Sequence, residues 1–314
     1  MKTLITGGGG FVGSEIIRKW QTNNKESLVV LEKNSEYLDK LSYTRNEMEL
    51  IHGDSSDLDL LNSIFSKDNI SRVIHLAANS DIKGGSSNTG PDFHDTLKTS
   101  VALAEILEFH RISNLYFAST SAVYGDKVSP ILMRESIIKS PISNYGWAKL
   151  ASEKILEGAA TKLGFTLKII RFPNVVGPNP THGILFDFKN KLKANSNELV
   201  VLGDGNQNKP YIHVNDLTDV ILHLIGMESK SDFKYFNEIN IGPGDTIKVK
   251  EIVDIVLEIS GLKPNIKWGS KSSGWEGDIP SYNYGDELPR EFAEIEVRNS
   301  KDAVKDAFTE WWNS

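Results

Sequence analysis

The sequence predicts an α/β protein: a doubly wound parallel sheet, followed by a smaller α/β lobe. Three observations carry this. Short apolar runs alternate with longer helical patterns through the first half, a Gly-rich turn joins the first run to the first helix, and the texture turns irregular after Pro173. Parallel strands need crossover connections, and helices in those crossovers cover both faces of the sheet.

In chain order, the strand-like runs are Thr3–Thr6, Leu28–Glu32, Glu49–His52, Val73–Ala77, Leu115–Ala118 and Thr166–Phe172. Helical patterns fill the gaps at Val12–Trp20, Leu58–Phe65, Leu97–His110 and Asn144–Leu163. Beyond Pro173 come Gly177, Pro178, Asn179, Pro180 and Gly183, then a short helix over Phe186–Lys193 and a strand over Leu199–Leu202. Gly203-Asp204-Gly205 reads as a turn and Tyr211–Val214 as a strand. Asn215 or Asp216 is a candidate cap for a helix running to about Met227. A helix over Val249–Ser260 precedes a tail rich in Gly, Pro, Ser and Asn from Gly261 to Arg290. The domain expectation is a first domain over 1–173, its sheet completed by later segments, interleaved with a lobe over 174–314.

Composition narrows the function. The 314 residues suffice for a large core in one long or two unequal domains. A formal charge of −7 would repel a phosphate backbone, so no nucleic-acid partner is expected. With no cysteine, disulfides and thiolate metal sites are excluded, and the seven histidines show no metal-ligand spacing. A strand pattern starting at Lys2 leaves no room for a signal peptide, and no apolar run approaches the roughly 18 residues of a membrane span. The expectation is a cytoplasmic protein with no membrane partner.

Thr6-Gly7-Gly8-Gly9-Gly10-Phe11-Val12-Gly13 leads from the first strand into an amphipathic helix. Backbone without Cβ can turn sharply there and approach a pyrophosphate, which free N–H groups at the helix start would meet. The spacing of Gly7, Gly10 and Gly13 is G-x-x-G-x-x-G, and alone it is compatible with a plain tight turn. Glu32 ends the second strand, 19 residues past Gly13, where a carboxylate accepts from ribose hydroxyls and repels a 2′-phosphate. That favours NAD over NADP, while the adjacent Lys33 would tolerate the phosphate. Gly53-Asp54 suits an adenine ring, and Leu76-Ala77-Ala78 offers small residues for a cofactor passing close.

Tyr145 and Lys149, four apart, lie on one helical face. An ammonium near a phenol lowers its pKa, which suits a base removing an alcohol proton as hydride leaves the same carbon. The pair alone is common by chance. Phe117-Ala118-Ser119-Thr120-Ser121 adds a strand ending in three hydroxyls, at the sheet edge where ligands bind in open α/β folds. The order of these features is more specific than any one of them.

On these residues, together with His75–Ala78, Ser119–Gly125, Arg171–Pro178, Gly203–Asp216 and Gly274–Pro280, the chain resembles the extended short-chain dehydrogenase/reductases. Within them it is most similar to the NAD-dependent nucleotide-sugar epimerase/dehydratase family. The resemblance implies a Rossmann-type sheet with a C-terminal substrate lobe. It makes Tyr145 the base, Lys149 the group that lowers its pKa and binds the nicotinamide ribose, and Thr120 the hydroxyl on the reacting oxygen. The implied NAD contacts are Gly7, Gly10, Phe11, Val12, Gly13, Glu32, Lys33, Asp54, Ser55, Leu76, Ala77, Ala78, Ser119, Tyr145, Lys149 and Phe172. The implied substrate contacts are Asn79, Thr120, Ser121, Asn174, Lys209, Trp275 and Asp278.

Dehydratases of this family carry Asp-Glu after the Ser/Thr; here Ser121 and Ala122 stand there, leaving elimination no acid and base. Oxidation and reduction alone remain, which fits a nucleotide-sugar 4-epimerase acting on a nucleoside-diphosphate sugar. A reductase or dehydrogenase, or a non-catalytic dinucleotide sensor, are the alternatives. Lys209 and Trp275 replace arginines of relatives, and Thr96 stands where they often carry Asn. Trp275 would stack on a base or sugar, or simply pack. Tyr282, Tyr284, Trp311 and Trp312 read as tail packing, and His213 as structural. The helices Leu97–His110 and Asn144–Leu163 are the pair relatives use to form a homodimer.

Overall fold

The structure is a computed structural model describing residues 2–23, 26–41, 48–79, 90–126, 138–230, 237–284 and 288–312. The chain divides into two compact units: Met1–Thr120, Asn144–Arg171 and Leu222–Ile239 in the first, Ser121–Ser143, Phe172–Ile221 and Asn240–Ser314 in the second.

In the first unit β1 (Lys2–Thr6), α1 (Phe11–Asn23), β2 (Ser27–Glu32), α2 (Ser35–Leu41), β3 (Met48–His52), α3 (Leu58–Lys67) and β4 (Ile70–His75) alternate. A helical stretch then runs through Gly90–Asp92 and a π-helical turn, Phe93–Leu97, into α4 (Lys98–Ile106). After it come β5 (Asn114–Thr120), α5 (Asn144–Leu163) and β6 (Thr166–Phe172). Among the described residues seven strands pair in the order β11-β6-β5-β4-β1-β2-β3, where β11 is Glu238–Asn240. The β3-β2-β1-β4-β5 pairings are all parallel. Reversal of strand order at β1/β4 is the signature of double winding, as the sequence predicts. Leu4, Val29, Val73, Leu115 and Ile169 from the strands are buried with Leu61, Leu103 and Leu156 from the helices in one core.

The second unit holds β7 (Asn174–Val176), α6 (Ile184–Ala194), β8 (Glu198–Val201), β9 (Asn208–Lys209), β10 (Tyr211–His213), α7 (Val214–Gly226, which runs on into the first unit), β12 (Ile247–Lys248), α8 (Val249–Ser260), β13 (Asn265–Trp268) and α9 (Ser300–Trp312). Its core joins Leu185, Phe188 and Leu192 with Ile252, Val256, Val304 and Phe308.

Several boundaries differ from the sequence reading. β4 ends at His75 rather than Ala77, because Leu76 N–H already bonds to Thr6 C=O (3.1 Å), the last residue of its neighbour. β5 reaches Thr120, so the first two of the three hydroxyls sit on the strand itself. Asn215 and Asp216 do not cap α7: it starts at Val214, and Asp216 instead accepts the Arg298 N–H (2.9 Å) and pairs with its guanidinium. The Gly/Pro/Ser-rich tail contains β13, parallel to β8. Only Lys98–Ile106 of the expected 97–110 helix is regular α-helix.

The β1–α1 turn depends on missing Cβ atoms. Gly7 has φ +68°, and a Cβ there would lie 2.9 Å from the Ala77 backbone. A Cβ on Gly13 would meet Gly7 O and Gly8 O at 2.7 Å. We expect Gly13→Ala to cost about 1–3 kcal/mol in denaturant unfolding, as backbone cannot yield the way a side chain can. Gly158→Ala, exposed on α5 with open space around it, should instead stabilise by about 0.5–1 kcal/mol.

Candidate active site

The Gly-rich turn opens α1, whose first helical bond, Ser14 N–H to Gly10 C=O (2.9 Å), leaves the N–H groups of Phe11, Val12 and Gly13 ahead of it. Such an unspent first turn, approached without Cβ obstruction, fits a pyrophosphate. Glu32 is buried and braces this turn: one carboxylate oxygen accepts Gly9 N–H (3.0 Å), the other Asn34 N–H (2.9 Å). Lys33, half exposed, pairs with Asp95 at 2.8 Å. Asp54 accepts the Ser56 N–H (2.8 Å), with Ser55 buried beside it, and Leu76, Ala77 and Ala78 lie half-buried beyond β4. Asn79 is held at both ends, its N–H by Thr96 Oγ1 (3.0 Å) and its Nδ2 by Asp92 Oδ1 (2.8 Å).

The structure brings Thr120, Tyr145 and Lys149 together. Thr120 hydrogen-bonds Tyr145, and the Lys149 ammonium donates to Ala118 C=O (2.6 Å), 6.0 Å from the Tyr145 ring centroid and 4.8 Å from that of Phe117. Burial brings Lys149 down to about 7, opposed by Glu153. Burial also dominates at Tyr145 and pushes the phenol up; Asp92 adds to the rise and the Thr120 hydrogen bond opposes it. Lys149 is therefore not what lowers the phenol pKa here, contrary to the sequence expectation. Its own charge is fractional near neutrality and its ammonium is turned to a carbonyl.

Behind the pair lie groups to which the sequence reading assigned no role. His75, fully buried, is hydrogen-bonded to Thr6 (2.6 Å) and Ser100 (3.2 Å), and burial with the nearby Lys149 lowers it to about 3. Ser119 donates to Glu153, which Arg171 grips through Nε (2.8 Å) and Nη2 (2.7 Å). Glu153 was findable, because it continues the four-residue spacing of Tyr145 and Lys149. Asp92 was not, since only the tertiary path of its helical stretch carries it to Tyr145.

The remaining candidates belong to the second unit. The Ser121 hydroxyl donates to Tyr282 (3.0 Å), so Tyr282 does more than pack a tail. Asn174 is exposed on β7, and its backbone N–H also reaches the Tyr282 oxygen. Phe172, at the end of β6, is half-buried. Lys209 is ion-paired with buried Asp278, and its ammonium lies 5.2 Å from the Trp275 ring centroid. Asp278 also accepts Gly274 N–H (2.9 Å). Three expected substrate contacts thus touch one another. No group of acidic and histidine side chains among the described residues is built to hold a metal, and no described helix is long and apolar enough to cross a membrane.

The sequence model of the NAD dependent epimerase/dehydratase family matches residues 3–242. The chain is 28% identical over 291 residues to the uncharacterized UDP-glucose epimerase YtcB of Bacillus subtilis, covering 87% of each chain. It is 28% identical over 279 residues to a UDP-glucose 4-epimerase of Halalkalibacterium halodurans, covering 83% of this chain and 81% of that one. Its fold is similar to UDP-glucose 4-epimerase of Thermotoga maritima, solved with UDP-glucose, at a TM-score of 0.83 and 26% identity over 99% of this chain and 98% of that one.

A stability consequence follows from His75. Folded, it takes up a proton only near pH 3, whereas the unfolded imidazole does so near 6.5. Stability is thus lost as the pH falls from about 6.5 toward 3, where the unfolded chain binds the extra proton. Denaturant titrations at pH 6.5 and 4.5 should show that loss, and His75→Asn should shrink the difference between the two.

Proposed function

The chain belongs to the NAD dependent epimerase/dehydratase family, and from that premise we propose that it is a nucleotide-sugar 4-epimerase. NAD, when bound, supplies the acceptor and returning donor of hydride, together with a positive charge. The chain's own part begins with Tyr145, which takes the proton from the sugar C4 hydroxyl and later returns it, the 4-keto sugar having turned its other face. Thr120, hydrogen-bonded to Tyr145, holds the reacting oxygen. Lys149 binds the nicotinamide ribose. Burial and Asp92 raise the phenol above its ordinary value, which disfavours the phenolate in the resting site.

The single observation that carries this reading is the Thr120–Tyr145–Lys149 assembly at the end of β5, followed by Ser121 and Ala122 in place of a carboxyl pair. The cofactor residues are proposed as Gly7, Gly10, Phe11, Val12, Gly13, Glu32, Lys33, Asp54, Ser55, Leu76, Ala77, Ala78, Ser119 and Phe172. Bracing by Glu32 favours NAD over its 2′-phosphate. The second unit is proposed as the substrate lobe, with Asn174, Lys209, Trp275 and Asp278 taking the nucleoside diphosphate and Asn79 and Ser121 the sugar. By name, these relatives act on UDP-glucose. Lys209 and Trp275 alter the phosphate grip, since a lysine lacks the bidentate fork of arginine and Trp275 carries no charge. A dimer through α4 and α5 is also proposed: Val101 on α4 and Trp147 on α5 are exposed apolar side chains, as is Phe93 in the turn that leads into α4.

Purified protein incubated with nucleotide sugars and no added cofactor should invert C4 by NMR, with no net change in NADH. Stoichiometric NADH turnover would instead identify a reductase, and silence across the panel a sensor. Tyr145→Phe should cut turnover by about 10²–10⁴-fold while leaving cofactor binding in place; activity surviving the change would sink the mechanism. By light scattering, Trp147→Glu should shift the dimer toward monomer.

A further inference from the structure

A fully buried ion pair lies behind the reacting residues. Glu153 and Arg171 have no exposed surface, yet Arg171 holds Glu153 through Nε (2.8 Å) and Nη2 (2.7 Å), and reaches Glu238 through Nη1 (2.7 Å). Burying two charges costs several kcal/mol, and apolar side chains of similar volume commonly serve stability as well or better. A function nearby explains why charge would be kept there.

The position supplies one. Tyr145, Lys149 and Glu153 are spaced four apart on α5, one above another on a single helical face. Three successive residues of β5 hold them: Ala118 C=O takes Lys149, the Ser119 hydroxyl takes Glu153, and Thr120 takes Tyr145. Slippage of α5 by one residue would break all three contacts. The groups facing Lys149 are Tyr145 and Glu153 from α5, the Ala118 carbonyl and Phe117 ring from β5, and His75 from β4, which stays neutral down to about pH 3. On the neighbouring helical stretch Asp92 acts on Tyr145, and Asp95 is spent on Lys33. Glu153 is thus the anion that opposes burial at Lys149.

We propose that Glu153 is a positioning residue for the reaction: fixed by Arg171 and Ser119, it locks α5 in register with the end of β5 and supplies the counter-charge of the Lys149 ammonium. This rests on the roles proposed for Tyr145 and Lys149, and is independent of which sugar is turned over. Arg171 moderates it, since its guanidinium neutralises part of the Glu153 charge.

The test follows the Lys149 titration directly, by NMR of protein labelled with ¹³C at lysine Cε, the Lys149 signal being identified by its loss in Lys149→Met. Glu153→Gln should lower the Lys149 midpoint by about one pH unit, and Arg171→Gln should raise it, because the carboxylate is then unmasked. Glu153→Asp, which keeps the charge, should leave the midpoint within about half a unit of the parent. A pair that only holds the fold together would not move Lys149 in opposite directions. Both variants shifting it the same way, or neither shifting it, overturns the proposal. Should the single variants not fold, Glu153→Gln/Arg171→Gln, which removes both members of the fully buried pair, is read instead: a lowered midpoint supports the proposal and an unchanged one overturns it. Loss of folding in every variant, Glu153→Asp included, would also overturn it, leaving a purely structural pair. If the parent protein epimerises nothing, the functional reading fails while these titrations still report on Glu153.

Discussion

Three successive residues of β5 and three side chains of α5 spaced four apart meet in a short polar zipper: Ala118 with Lys149, Ser119 with Glu153, Thr120 with Tyr145. Strand and helix periods differ, so such a match exists only for one register of the helix against the strand end. The proposed chemistry needs that register, since the phenol and the threonine hydroxyl must address one oxygen. The apolar sides of the same elements supply the force that holds it, with Leu115 and Phe117 from β5 and Leu156 from α5 buried in the core.

Around this zipper burial dominates charge. It drives Lys149 down to about 7 and His75 to about 3, and it raises the Tyr145 phenol. The carboxylates in the resting centre are Asp92, which acts on Tyr145, and Glu153, which Arg171 matches. A desolvated layer responds strongly to any charge brought to it, because the low dielectric that penalises an isolated ion also magnifies its interactions.

The Gly-rich turn obeys a different constraint, of space rather than charge. The Ala77 backbone leaves no room for a Cβ on Gly7, and the turn's own oxygens leave none for one on Gly13. Glu32 adds a second control from β2, gripping Gly9 N–H. In the second unit polar groups are likewise spent on each other: Lys209 on Asp278, Ser121 on Tyr282. Residues singled out separately from the sequence turn out to be mutual partners.

The sequence by itself determined the alternation of strands and helices, the double winding, the Gly7–Gly13 turn, and the Tyr145/Lys149 face of a helix whose ends, Asn144 and Leu163, were read directly. These are local matters: periodicity and missing Cβ atoms write themselves into a single stretch of chain. Only the tertiary structure decided the partners. It brought Asp92 to Tyr145 and Asp95 to Lys33, turned Lys149 toward Ala118 rather than the phenol, and closed Arg171 on Glu153. It also ended β4 at His75, where β1 runs out of pairing groups. Such facts depend on distances between segments far apart in the chain and on how completely each group is desolvated. Neither quantity has a value until the core has closed.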